Sequence, residues 1–183
     1  FSELDVFAGP ELHQILREWN DSGCEESWPW TAHALFEEWV DRAPDSVAVV
    51  CEDQSLTYGE LERRANRLAH RLLSLGAGPE ILVGLCVERS LDLVPGILGI
   101  LKAGAAYLPL DPGNPRERLR FLLEDARVPL LLTQRSLLAR LPEGRARMVL
   151  LDSDRSAVDR LPATRPGAQV GGGSLAYVIY TSG

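Results

Sequence analysis

The 183-residue sequence predicts an α/β fold, a mostly parallel sheet covered by helices. Three observations lead there. Short aliphatic and β-branched runs alternate with amphipathic helical stretches from Val47 onward. The segments between successive runs are long enough for helical crossovers, which parallel strands need. Composition is that of a globular chain, 45% hydrophobic and 25% charged.

A leader precedes this body. Pro10 can open a helix carrying Leu12, Ile15, Leu16 and Trp19 on one stripe, and Asn20-Asp21-Ser22-Gly23 closes it. Residues 1–27 are therefore expected to be an interdomain linker with one amphipathic helix, and residues 28–183 the body. Trp19, Trp28 and Trp30 cluster at this junction. Packing of the linker against the body is the expectation for them, ahead of an aromatic ligand platform.

The body starts with a helix from about Thr31, with Leu35, Phe36, Trp39 and Val40 on one face and Pro44 past its end. Val47–Cys51 reads as a strand, with a turn at Asp53-Gln54. Thr57-Tyr58-Gly59-Glu60 has the form of a capping box. Behind it, Leu61, Ala65, Leu68, Ala69 and Leu72 face inward, and Gly76 supplies a left-handed stop. Ile81–Val87 is the next strand. The following helix runs to Lys102 and stops at Gly104; Pro95 is tolerable if the first turn begins near Asp92. Tyr107–Leu110 is a short extended run closed by Asp111-Pro112-Gly113. Asn114 is then expected to cap a helix with Pro115 first, Glu117 third and Leu119, Leu122 and Leu123 inward. Leu130–Leu132 and Met148–Leu151 read as strands flanking a helical stretch near Leu137–Leu141. Residues 152–174 lack periodicity, and Gly171-Gly172-Gly173 reads as a connector.

Charge and cysteine content narrow the function. A net charge of −7 without a basic run argues against a nucleic-acid surface. Eighteen of the nineteen basic residues are Arg, with Lys102 the lone lysine. Cys24, Cys51 and Cys86 have no metal-ligand or disulfide spacing; Cys51 and Cys86, in strand-like runs, read as buried free thiols, consistent with a reducing cytoplasm. The first residues lack the pattern of a signal peptide. Apolar stretches interrupted by Pro95, Lys102 and Asp111 leave no membrane span. His13, His33 and His70 occupy no recognisable base position, so capping or surface roles are expected.

The run Leu175-Ala176-Tyr177-Val178-Ile179-Tyr180 reads as a buried strand, and Thr181-Ser182-Gly183 follows it. Small residues after a parallel strand can present amides and hydroxyls to an anion where ligands bind such sheets. The tripeptide is a common one, and taken alone its residues favour an ordinary loop over a phosphate role.

Three motifs extend this reading by resemblance. Leu56-Thr57-Tyr58-Gly59-Glu60-Leu61 matches L-[TS]-Y-x-E-L. Leu101–Asp111 matches the LKAGxAY…P-[LI]-D block, and Leu175–Gly183 matches the first half of LAYxxYTSG[ST]TGxPKG. In this order they resemble the first core motifs of adenylation domains in nonribosomal peptide synthetases. Pro115–Ala126 resembles that family's YPxERLxxxLxDA stretch, with Asn114 in place of the usual Tyr. Trp19-Asn20-Asp21 resembles the linker after a condensation domain, and His33–Glu37 the opening of the adenylation domain.

The resemblance implies activation of an amino acid by ATP, with Mg²⁺ assisting, and transfer of the acyl group to a carrier protein's phosphopantetheine thiol. It implies an upstream condensation domain and a downstream carrier domain as partners, with neither nucleic acid nor membrane. Thr181, Ser182 and Gly183 would be the first part of the loop that contacts the departing phosphates. The sequence is then expected to be the incomplete N-terminal portion of the large subdomain, cut within that loop and inactive alone. No catalytic residue or metal ligand is assigned. Lys102 is read as a helix-terminal charge on the macrodipole. Two alternatives stand beside this reading: an acyl- or aryl-activating ligase of the same superfamily, and a non-catalytic structural or docking piece.

Overall fold

A computed structural model of the protein describes residues 9–21, 30–168 and 170–181. Trp28, Cys24, Ser182 and Gly183 lie outside the described residues. Helix α1 (Gly9–His13) continues through a wider turn over Gln14–Glu18, and Asn20 closes it by donating to the Ile15 carbonyl at 2.6 Å. Leu12, Leu16 and Trp19 remain exposed, as does Trp30. The expected packing of the linker tryptophans against the body is therefore not seen for Trp19 and Trp30.

Helix α2 (Ala32–Arg42) starts at Thr31, whose hydroxyl accepts from the Ala34 amide at 3.3 Å. Its expected apolar face divides in two. Val40 is buried and Phe36 packs inward, but Leu35 and Trp39 are 46% and 54% exposed. The reason is the neighbour available: α2 packs against α3 (Tyr58–Ser74), with Phe36 stacked on Tyr58 at 5.8 Å, and Leu35 and Trp39 lie on the side left open.

The first two strands, β1 (Val47–Cys51) and β2 (Gln54–Thr57), form a separate antiparallel hairpin. It turns at Glu52-Asp53, one residue ahead of the expected turn, with Glu52 in the left-handed region at φ 52°. The hairpin feeds α3 through the expected capping box. Thr57 Oγ1 accepts from the Glu60 amide at 3.2 Å, and Glu60 Oε2 accepts from the Thr57 amide at 2.9 Å. Gly76 takes φ +93° just past the helix end, a conformation side-chain-bearing residues disfavour.

The main sheet is fully parallel, in the order β4 (Ala106–Pro109), β3 (Leu82–Leu85), β5 (Leu130–Thr133), β6 (Arg147–Leu150). Alternation along β5 divides its side chains between two faces. Leu130 and Leu132 join Val83, Leu85 and Val149 beneath α3 and α4 (Leu93–Lys102). Leu131 joins Leu108 beneath α5 (Arg116–Asp125), with Leu137 and Leu141. Pro95 falls in the first turn of α4, as expected. The α5 start departs from expectation: Pro115 itself, with ψ 144°, is the capping residue, and Asn114 makes no side-chain cap. Past β6, the short α6 (Arg155–Val158) interrupts an otherwise irregular connector.

Helices α3 and α4 meet at Gly99. A Cβ there would lie 2.8 Å from Leu68 Cδ2 and 3.0 Å from Leu68 Cβ, inside van der Waals contact. Gly99→Ala should cost about 1–3 kcal/mol, read as a lower urea midpoint with an unchanged slope. An unchanged midpoint would show that the helices can separate without loss.

Candidate functional site

The expected terminal strand lies on an edge. A single parallel bridge joins Tyr177 to Tyr107 of β4: the Tyr107 amide donates to the Ala176 carbonyl at 3.1 Å, and the Val178 amide to the Tyr107 carbonyl at 3.0 Å. Leu175, Tyr177 and Ile179 are exposed, so the expectation of a buried strand is corrected. The physical cause is one-sided pairing, since β4 flanks the run and no second strand does among the described residues. The opposite face is anchored. Val178 and Tyr180 pack on the α5 cluster, Tyr180 donates to Asp125 Oδ2, and its ring meets Phe121 edge-on at 6.3 Å. The Asp125 carboxylate also holds the Tyr180 phenol above its ordinary pKa.

Parallel pairing fixes the direction of this run. The bridge lies at Tyr107 and β4 ends at Pro109, whereas Thr181 comes four positions after Tyr177. Thr181 is thus carried past the C-terminal end of β4, exposed, on the side where parallel sheets bind ligands. Of the three expected site residues the structure places this one, and Ser182 and Gly183 lie outside the described residues.

The connector that leads to the edge is held by a charged cluster at the end of α4. Lys102 is the last helical residue, as the sequence suggests, but its side chain is only 1% exposed. Its ammonium pairs with Glu37 of α2 and, at 2.8 Å, with Glu62 of α3. Arg165 closes the cluster from the connector, donating to Glu62 Oε1 at 2.9 Å and to both Asp41 oxygens at 2.7 and 3.1 Å. Asn66 donates to the Ala163 carbonyl at 2.8 Å, and His70 contacts the Thr164 carbonyl at 3.0 Å. Beside the cluster, burial pushes His33 below its ordinary pKa against the opposing pull of Glu37. Lys102 therefore ties three helices together, a larger role than the macrodipole contact expected of it.

Sequence reasoning missed Glu37, Glu62 and Arg165. The available signal was a lone lysine within an otherwise apolar helix end, which requires buried carboxylate partners.

Residues 36–183 match the model of the AMP-binding enzyme family. The chain belongs to that family. It is 47% identical over 188 residues to tyrocidine synthase 3 of Brevibacillus parabrevis, covering 99% of this chain and 3% of that protein. It is 43% identical over 182 residues to gramicidin S synthase 2 of Brevibacillus brevis, covering 100% and 4%. Among solved structures, it resembles a nonribosomal peptide synthetase, FmoA3, with α-methyl-L-serine-AMP bound. The TM-score is 0.80 at 34% identity, over 86% of this chain and 18% of that one. The chain thus spans a small part of the relatives it matches, and its resemblance to these synthetases includes the leader as well as the body.

The family's nucleotide chemistry can be tested against the residues present. A hydroxyl such as that of Thr181 suits a phosphate oxygen, and its exposure past β4 leaves it free to donate. No group of three potential ligands for a metal ion stands together among the described residues, so no side chain is assigned to Mg²⁺. No described helix is long and apolar enough to cross a membrane.

Two measurements test the local chemistry. Lys102→Met should destabilise the protein by about 1–3 kcal/mol, because buried Glu62 Oε2 loses its ammonium partner while Arg165 still holds Oε1. A loss below about 1 kcal/mol, the value of a surface pair, would sink that account. Cys86 is buried, and burial, reinforced by Asp111, pushes its thiol up to about 11. In peptide mapping after iodoacetamide treatment, Cys86 should therefore label only as the pH approaches that value. Labelling at neutral pH would contradict its burial.

Proposed function

We propose that the chain is the first part of an adenylation domain in a nonribosomal peptide synthetase, with residues 1–27 as the linker from an upstream condensation domain. The alignment at 47% identity over nearly the whole chain, leader included, is the observation that carries this reading. Exposed Leu12, Leu16 and Trp19 support contact between the leader and a neighbouring domain.

In this reading the parent enzyme joins an amino-acid carboxylate to the α-phosphate of ATP. The carboxylate oxygen forms the new P–O bond, and the bond to the departing pyrophosphate breaks. The acyl group then passes to the phosphopantetheine thiol of a downstream carrier domain, releasing AMP. Mg²⁺ would neutralise phosphate charge in the first step. Thr181 would donate its hydroxyl to the leaving phosphates, with Ser182 and Gly183 continuing the same loop. Interactions of this kind accelerate the reaction when they strengthen as charge develops on the leaving group.

The test is amino-acid-dependent ATP–pyrophosphate exchange by the synthetase module that carries this segment. Thr181→Ala should lower exchange by about 10- to 100-fold, the value of one hydrogen bond to a charged group. Exchange that needs no amino acid, or responds only to aryl or fatty acids, would move the protein to another branch of the superfamily.

A further inference from the structure

The backbone holds the root of the Thr181 loop only up to Val178. Past the Val178 amide, which donates to the Tyr107 carbonyl at 3.0 Å, no backbone hydrogen bond fixes the run among the described residues. The next anchor is the side chain of Tyr180, one residue before Thr181. Its half-buried ring packs on the α5 cluster and meets Phe121 edge-on, and its phenol donates to Asp125 Oδ2. Ile179 and Thr181, on either side of it, are exposed.

Asp125 stands where a helix disfavours it. It is the last residue of α5, next to Glu124, and the last turn carries no basic residue. A carboxylate there faces the negative end of the macrodipole, so helix stability does not account for it. Its one hydrogen-bond partner among the described residues is Tyr180, 55 positions away. A carboxylate acceptor makes a stronger hydrogen bond than a neutral one, and this one is directed at the root of the loop. A residue that breaks a local rule while making a single long-range contact marks a position set by that contact.

We propose that Tyr180 and Asp125 are a positioning pair, which clamps the root of the Thr181 loop to α5 and so holds the Thr181 hydroxyl in place for the departing phosphates. The inference rests on the phosphate role proposed above for Thr181. Neither member of the pair touches substrate; both act through Thr181. A hydroxyl on a loop assists a transition state only when its place is fixed beforehand, and a misplacement of about 1 Å can cost about 100-fold in rate. With the backbone free after Val178, the Tyr180 side chain is what supplies that constraint.

Tyr180→Phe in the synthetase module that carries this segment tests the pair, because it removes the phenol oxygen and keeps the ring against Phe121. The kcat of ATP–pyrophosphate exchange should fall about 10- to 100-fold, with the KM for the acid substrate unchanged. Asp125→Leu should do the same, and Asp125→Asn, which keeps an acceptor oxygen, should recover most of the loss. In a Thr181→Ala background, Tyr180→Phe should cost less than about threefold more, because both changes forfeit one contact. Hydrogen exchange adds a readout without turnover: the Val178 amide should exchange about tenfold faster in Tyr180→Phe, and the β5 amides at their original rate. An unchanged kcat in Tyr180→Phe, losses that multiply with Thr181→Ala, or equally accelerated exchange in β5 would each overturn the pair's role and leave Thr181 its own. A wild-type module that supports exchange with no carboxylic acid would overturn the phosphate role itself, and this inference with it.

Discussion

The buried ammonium of Lys102 is the constraint on which the rest of the structure depends. A charge held at 1% exposure is tolerable only if carboxylates reach it, and Glu37 and Glu62 must come from two different helices to do so. Their approach requires α3 and α4 to pack closely, which the missing side chain of Gly99 permits against Leu68. Two further carboxylate contacts draw Arg165 in from the connector. One residue thus couples helix spacing, the position of α2 and the path of the chain beyond β6.

That path matters because of where it delivers the chain. From Ala163 and Thr164, fastened to α3, the connector returns to the end of α4, where Val170 lies against Gly104. Gly104, at φ +80°, turns the chain out of α4 and into β4. Charged cluster, glycine turn and edge strand therefore follow one another along the chain, at Lys102, Gly104 and Ala106. The run from Leu175 to Thr181 then pairs with β4 through a single bridge, while Tyr180 fastens it to α5. Its backbone is held at one point and its outer face stays open, an arrangement that exposes Thr181 without leaving it unanchored.

Charge is distributed unevenly over this acidic chain. Several arginines face carboxylates, as Arg165 does with Asp41 and Arg120 with Glu117. Arg64 and Arg155 line one cleft together with Asp92 and Asp159.

What the sequence by itself determined is local. The capping box at Thr57 and Glu60, the left-handed stop at Gly76 and the start of α4 before Pro95 each depend on a few adjacent residues, and the structure reproduces them. The three motifs likewise pointed to the AMP-binding family, and only the motif at residues 175–183 reached toward the candidate site. Tertiary structure decided the long-range matters. Arg165 and Glu62 are 103 residues apart, and no periodicity can announce their contact. The exposure of Leu35, Trp39 and Tyr177 was likewise illegible, because an apolar stripe states that a face prefers burial and not which neighbour is available to cover it. Hydrogen bonds between adjacent residues are set by backbone geometry; burial and ion pairing are set by which surfaces the whole chain brings together.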